Sequence, residues 1–396
     1  MIEKIHIQNF KSINDLEIDV GRVNLIIGEN GAGKSNLIEA LVFVSANQSN
    51  KLDNEFLVSR GLRVTKPILM RNAFEDTDKN KSIKISIGQK DDLDSYEFIN
   101  ENTEYSKWTY PILKSFSDGL SKQFPDEKKE TLDKMLSTFL NTISKNKELF
   151  VDALNEELDE KNQVYLSDEH KFNFENFLIY SPDYKSLKDF YNVGQIEPLG
   201  VNGEGLFRLL KVIKNYKEPE HMEVITKSLE LFDWFGGIHI PDDLEMGEKE
   251  LIIKDKYLAS DIGINNTNEG FLFILFYVTL IVAKETPKAF AIDNIDSFLN
   301  PKLCTKLIKL VIELAKKYDK QIFLTTHNPT ILDGIDLFDD EQRLFVVSRS
   351  DKGHTKADRI EPPKGTTKED WEEQNYGLKL SDIWLSGAIG GMPKDF

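Results

Sequence analysis

Residues 28 to 36 read GENGAGKSN, with Gly28 and Gly33 spaced five apart and Lys34 and Ser35 directly behind. The span from Gly28 through Glu29, Asn30, Gly31, Ala32, Gly33, Lys34 and Ser35 to Asn36 predicts a phosphate cradle. Glycines let the backbone curl until its N–H groups converge on one anion, and a helix opening at the end of the loop adds a favourable dipole. Lys34 would reach the β- and γ-phosphates of ATP, and the Ser35 hydroxyl would bind Mg²⁺. Far downstream, AFAIDNIDS (289–297) ends an apolar run, Ala289 to Ile292, on Asp293. A carboxylate at such a strand end can hold the same Mg²⁺ through water. His327, behind the apolar QIFLTT, can donate to a γ-phosphate oxygen or position an attacking water.

The residue after Asp293, where a general base is expected, is Asn294. A carboxylate there takes a proton from the attacking water and contributes about 10²–10⁴-fold. An amide orients water but cannot deprotonate it. Asp296 is the alternative base, although two residues along an extended strand displace a side chain by about 6–7 Å. Two outcomes stay open: slow or absent hydrolysis, or a shifted loop that brings Asp296 to the water.

The elements that must position these groups are partly legible. IEKIHIQNF and DLEIDVGRVNLIIG alternate with period two around the turn-like KSIN, which predicts a hairpin leading into the strand before the loop. SNLIEALVFVSA, apolar at Leu37, Ile38, Leu41, Val42 and Val44, predicts a half-buried helix. Short strands are predicted at PILMRNAF, KSIKISIG and SYEFIN. Between residues 108 and 170 the pattern turns helical: Leu132, Met135, Leu136, Phe139, Leu140 and Ile143 form one stripe. This predicts an inserted subdomain, either a small lid or a partner-binding arm. GVNGEGL (200–206) lacks a Lys-Ser pair and reads as a turn before a helix. The long apolar helix (269–285), the strand AFAID, the helix PKLCTKLIKLVIELAKKY and the strand QIFLTT form a β-α-β series that builds a parallel sheet. The tail, NYGLKLSDIWLSGAIGGMPKDF, would dock on its own domain or on a partner.

With 396 residues, 40% hydrophobic and 30% charged, the chain can bury a sizeable core. Its longest apolar run, FLFILFYVTLIVA, is too short for a membrane span. The N-terminus lacks a signal peptide's apolar segment, and the single Cys304 excludes an intrachain disulfide framework, so a cytoplasmic protein is expected. The six histidines show no ligand spacing, and no zinc site is expected. A net charge of −17 argues against a general grip on nucleic acid. A local one is left to the segment from Phe56 to Phe74, where Arg60, Arg63, Lys66 and Arg71 stand without acidic neighbours. That segment is either an exposed strand-and-loop surface or a polyanion contact.

IHIQNFKSI, GENGAGKSNLIEAL, NTNEGFLFIL, IDNIDSFLNP and TTHNP occur in an order that resembles ABC-type ATPases of the RecF/SMC/OLD group. More closely it resembles the compact bacterial AAA-labelled ATPases of phage-defence and toxin-type systems such as Septu and PARIS. The resemblance implies an α/β P-loop NTPase of the ABC-ATPase head type, a mixed sheet with helices on both faces plus the helical insertion. Its parts would be an N-terminal lobe (1–107), the insertion (108–170) and a C-terminal lobe (171–396). It also implies a homodimer or higher oligomer in which each phosphate loop faces the other copy's signature. Asn268, Glu269 and Gly270 stand in the signature position, with Asn268 replacing the usual Ser. Lys11 and Ser12 match the hairpin position that touches the nucleotide. Phe298 to Pro301 match the D-loop, and Gln48 is either a Q-loop residue or a surface glutamine. In this family a Glu usually stands at Asn294. With no nuclease constellation in the chain, the implied role is to regulate a separate nuclease in antiviral defence. A DNA-repair factor of RecF type, clamping duplex on the dimer, is the alternative.

Overall fold

The computed structural model describes residues 1–74, 81–103, 106–110, 172–189, 196–216, 219–241 and 251–390. Strand β1 (Lys4–Phe10) pairs antiparallel with β2 (Ile13–Asp19), and so the expected hairpin forms. β3 (Val23–Gly28) leads from it to the loop. β4 (Ile83–Gln89) joins the other edge of β1, and β5 (Asp92–Phe98) joins β4, giving a sheet in the order β2-β1-β4-β5. Its alternation sorts Ile5 and Ile7 inward and the pairs Lys4–Glu17 and His6–Asp15 outward.

β3 is buried along its whole length at the heart of a second sheet. The remaining strands of that sheet are β6 (Ile179–Tyr180), β10 (Ala289–Ile292), β11 (Gln321–Thr326), β12 (Gln342–Arg349) and β13 (Thr355–Ile360), in the order β13-β12-β3-β11-β10-β6. β3 runs parallel to β11 and β12, β10 runs parallel to β11, and only β12 and β13 are antiparallel. Strands covered on both faces read as continuous apolar runs, as VNLII and AFAI do. A small sheet of β7 (Phe235–His239), β8 (Ile252–Asp255) and β9 (Ile262–Gly263) stands apart.

Two cores flank the central sheet. On one side Leu25, Ile27, Phe290 and Ile292 meet the helices Leu206–Lys214, Glu220–Ser228, Glu269–Val282 and Pro301–Lys317. On the other, Ile26, Ala291 and Phe323 meet the helix Lys34–Gln48 and the first sheet. The mixed sheet with helices on both faces is therefore present.

Three local expectations need correction. The helix Lys34–Gln48 is buried almost all round, because the first sheet roofs it while the central sheet lies beneath. PILM is a helical turn, Pro67–Met70, with the proline at its first position, where a missing N–H costs nothing. After it, Arg71 makes a single bridge to Phe10. Gln48 is neither on the surface nor at the cavity described below: its amide donates to the Tyr96 hydroxyl and Phe172 O and accepts from Phe174 N. The glycine-rich GVNGEGL does turn into a helix, with Gly205 at +85° as its cap. The tail helix Leu380–Leu385 docks on its own domain, burying Ile383 and Trp384, while Ser381 bonds Asp333. The apolar stripe from Leu132 to Ile143, and nearly all of the helical insertion, lie outside the described residues. Among the described residues no helix is long and apolar enough to cross a membrane.

One buried lysine ties the core to the site. Lys320 Nζ donates to Ala283 O, Thr286 O, Thr286 Oγ1 and Pro287 O at 2.8–3.1 Å, fixing the link between the helix Glu269–Val282 and β10. Lys320→Met would take this donor from Thr286 O and Pro287 O, while Ala283 O keeps its bond from Thr286 Oγ1. The expected loss is about 2–3 kcal/mol, read as a lower urea midpoint at unchanged slope.

Candidate nucleotide-binding site

β3 ends on Gly28, where a Cβ would overlap Val347 O of β12. The loop then turns at Gly31 and at Gly33, which holds +110° and caps the helix Lys34–Gln48. A Cβ on Gly33 would overlap the Thr355 hydroxyl, so only glycine fits between the loop and β13. The helix N-terminus opens into a cavity of about 720 Å³, a size that holds a small ligand.

Lys34 Nζ donates to Gly28 O and Glu29 O, each at 2.9 Å, and lies 3.3 Å from His327 Nδ1. Burial pulls its amine down to about 8 against the opposing pull of Asp293, Asp296 and Glu29. Burial also holds His327 below the usual imidazole range, helped by the Lys34 charge. The Ser35 hydroxyl stands 3.4 Å from both oxygens of Asp293, and Thr325 Oγ1 donates to Asp293 Oδ1. A hydroxyl facing a carboxylate is the hard, all-oxygen donor set that suits Mg²⁺. The loop whose Cβ positions are closed to side chains suits a triphosphate. ATP and Mg²⁺ therefore fit the residues present.

After Asp293 the chain does not extend; it wraps the end of β11. Asn294 takes a left-handed backbone (φ 56°), its N–H donates to Thr325 Oγ1, and Ile295 N donates to Thr325 O. Asn294 is among the residues that line the cavity. Asp296 is turned back onto β11, where it accepts from Thr326 Oγ1 at 2.7 Å, and it does not line the cavity. The extended-strand displacement assumed from sequence is thus replaced by a turn, with the carboxylate folded beneath the site.

Of the other sequence-selected residues, Lys11, Ser12, Asn30, Gly31, Gly33 and Asn36 line the cavity too. Gly28, Glu29 and Ala32 contribute backbone: the first two carbonyls hold Lys34 and the third accepts from Thr355 Oγ1. Lys11 pairs with Glu39 and donates to Arg63 O, while Glu39, only 2% exposed, also takes Arg63 Nε at 2.7 Å. Ser12 Oγ exchanges a hydrogen bond with Thr355 Oγ1 and accepts from Asn36. Asn268, Glu269 and Gly270 are not at this cavity. Asn268 Oδ1 caps its helix on Phe271 N, and a Cβ on Gly270 would lie 3.2 Å from Phe298 O.

The Arg60–Arg71 segment divides: Arg63 and Arg71 line the cavity, Arg63 with its side chain 66% exposed, and Lys66 is exposed. Arg71 is 1% exposed and bonded to Lys81 O, Asn100 O and Asn102; Arg60 donates to Ser45 and Glu175 O. Sequence reading missed the hairpin of β12 and β13. Arg349 Nε and Nη2 both donate to Gly31 O, at 2.9 and 2.6 Å, and Thr355 braces Ala32. The apolar run Leu344–Val347 was the signal that could have placed the first of those strands.

A family model described as "AAA domain" matches residues 4–250, and another, described as "AAA domain, putative AbiEii toxin, Type IV TA system", matches residues 269–333. The chain is 24% identical to an ATP/GTP phosphatase of Helicobacter pylori, over 89% of this chain and 94% of that protein. It is also 24% identical to the DNA replication and repair protein RecF of Bacteroides thetaiotaomicron, over 85% and 93%. A solved SMC head, bound to the C-winged helix domain of ScpA, shares the fold with a TM-score of 0.52 and 16% identity, over 92% of this chain and 99% of that one. The phosphate loop at the end of β3, Asp293 at the end of β10 and the family match lead to one conclusion: the chain belongs to the AAA-domain family.

Proposed function

We propose that this chain is a nucleotide-gated switch that binds ATP with Mg²⁺, hydrolyses it slowly, and in the ATP-bound state pairs with a second copy to control a separate nuclease. The observation that carries the reading is Asn294. It lines the cavity at the position where a carboxylate would accept the water's proton, and Asp296 is engaged with Thr326 instead. Bound at Ser35 and Asp293, Mg²⁺ would neutralise charge developing on the phosphate oxygens. Lys34 and the loop N–H groups would bind the triphosphate, and His327 would orient its γ end. Without a strong base the charged complex persists.

Two features support pairing of copies. Asn268 to Gly270 sit at a helix N-terminus, where N–H groups favour an anion. Beside them Phe298 holds φ 61° while 62% exposed, a costly conformation for a bulky side chain that a partner surface would offset. The role we assign to the chain is in antiviral defence in the cytoplasm, and the match of residues 269–333 to a model described as "AAA domain, putative AbiEii toxin, Type IV TA system" is in keeping with a toxin-type system.

Co-expression with the genomic neighbours tests this directly. The effector should co-purify or separate according to whether ATP and Mg²⁺ are present, and its nuclease activity should follow. An effector indifferent to nucleotide would sink the gate.

The RecF relatives favour a second reading, a DNA-repair ATPase that grips duplex across the dimer. It requires duplex binding that weakens steeply with salt. The internal engagement of Arg60 and Arg71 weighs against that segment supplying the grip.

A further inference from the structure

The outer wall of the phosphate loop is the hairpin of β12 and β13, which meets it at three points. Val347 of β12 closes on Gly28, Arg349 at the end of β12 grips Gly31 O, and Thr355 at the start of β13 bonds Ala32 O. The last two contacts fix which way the peptide planes of the loop face.

A trans peptide points its C=O and the next N–H in opposite directions. Thr355 Oγ1 donates to Ala32 O at 2.8 Å, and so the Gly33 N–H is turned away from β13. Among the described residues nothing accepts from that N–H. Gly33 lines the cavity and Thr355 does not. The donor is thus left over on the side where an anion would lie. Just before it, Ala32 N–H closes a turn on Glu29 O at 3.3 Å, with Gly31 at φ +78°. Arg349 holds the Gly31 carbonyl of that turn with two N–H groups.

The Thr355 hydroxyl stands in a chain that runs in one direction. Its single proton goes to Ala32 O, so the 2.6 Å contact with Ser12 Oγ must carry the Ser12 proton. Ser12 Oγ in turn accepts from Asn36 Nδ2 at 2.6 Å. Asn36, Ser12, Thr355 and Ala32 therefore form one run of aligned hydrogen bonds, in which each bond polarises the next. The run leaves the first turn of the helix Lys34–Gln48, crosses the turn between β1 and β2, and returns to the loop. Thr355 is only 3% exposed, so a link lost there leaves buried groups unpaired.

We propose that Thr355, backed by Arg349, is a positioning residue for phosphate binding. Thr355 does not touch the nucleotide; it holds the Ala32–Gly33 peptide so that the Gly33 N–H is aimed at a phosphate oxygen before one arrives. This rests on reading the loop as a triphosphate cradle. Donors aimed in advance need no reorganisation when the anion binds.

Isothermal titration of the full chain with ATP and with inorganic tripolyphosphate, both with Mg²⁺, tests it. Thr355→Val keeps the branched shape and the charge and removes only the hydroxyl. It should weaken both ligands together by about tenfold, the scale of one hydrogen bond to a charged group. Thr355→Ser, which keeps the hydroxyl, should bind both within about twofold of wild type. Arg349→Lys keeps the charge but gives up the fork on Gly31 O, and should also weaken both ligands. A brace that serves folding alone would lower the urea midpoint and leave the affinity of the folded protein unmoved. Folded Thr355→Val that binds tripolyphosphate within about twofold of wild type would overturn the proposal. So would a loss confined to ATP, or a Thr355→Ser as weak as Thr355→Val. If Thr355→Val does not fold, Arg349→Lys decides by the same threshold. Wild type that binds neither ligand would remove the cradle itself, and the proposal with it.

Discussion

Asn294→Glu is expected to raise ATP turnover by about a hundredfold or more, the lower end of what a positioned general base contributes. The reasoning is local. Asn294 lines the cavity beside Asp293, and its backbone is anchored by Thr325, so a glutamate there enters the same space with one more methylene. It would add the proton acceptor that the amide lacks. Asp296→Asn should change turnover little, because that carboxylate serves Thr326 and does not line the cavity. Steady-state phosphate release decides between them. A large loss in Asp296→Asn, with no gain in Asn294→Glu, would make Asp296 the base.

Lys34→Ala should weaken ATP binding by about a hundredfold and abolish any nucleotide-dependent change in mass. Truncating one member of a buried, hydrogen-bonded charge pair costs about 2–5 kcal/mol, and 1.4 kcal/mol is tenfold in affinity. Lys34 is buried, its amine sits at the mouth of the loop, and Asp293 and Asp296 lie near enough to shift its titration. The fold should survive, since the amine's backbone partners are Gly28 O, at the very end of β3, and Glu29 O, in the loop. Isothermal titration with ATP and Mg²⁺ reads the affinity, and light scattering reads the mass.

The parts of this site that sequence made legible are those whose chemistry is written in consecutive residues. Gly28 to Asn36 could be recognised because spacing alone forces the loop, and AFAID because a buried parallel strand needs an unbroken apolar run. Burial of the helix Lys34–Gln48 on every side was not legible. Its periodicity marks a preferred face, whereas the sheet that covers the other face is built from strands well before and after it. The turn after Asp293 was hidden for a similar reason. The Thr325 and Thr326 hydroxyls that fold it back lie about thirty residues on, at separations of 31 and 30. Arg349 was the furthest from reach: it holds Gly31 across 318 residues, and nothing in SRSDKGHT announces a contact with the phosphate loop. Likewise Glu39 reads as a surface residue in LIEAL, yet it is the buried anion between Lys11 and Arg63.

The central claim is that the ATP-bound form is the lasting one, and the fate of bound nucleotide tests it most directly. Wild-type protein would be incubated with ATP and Mg²⁺, separated by size, then denatured, and the released nucleotide identified by ion-exchange chromatography. Intact ATP carried in a species of doubled or greater mass is the predicted result. ADP as the main bound nucleotide, or ATP found only on the monomer, would contradict it.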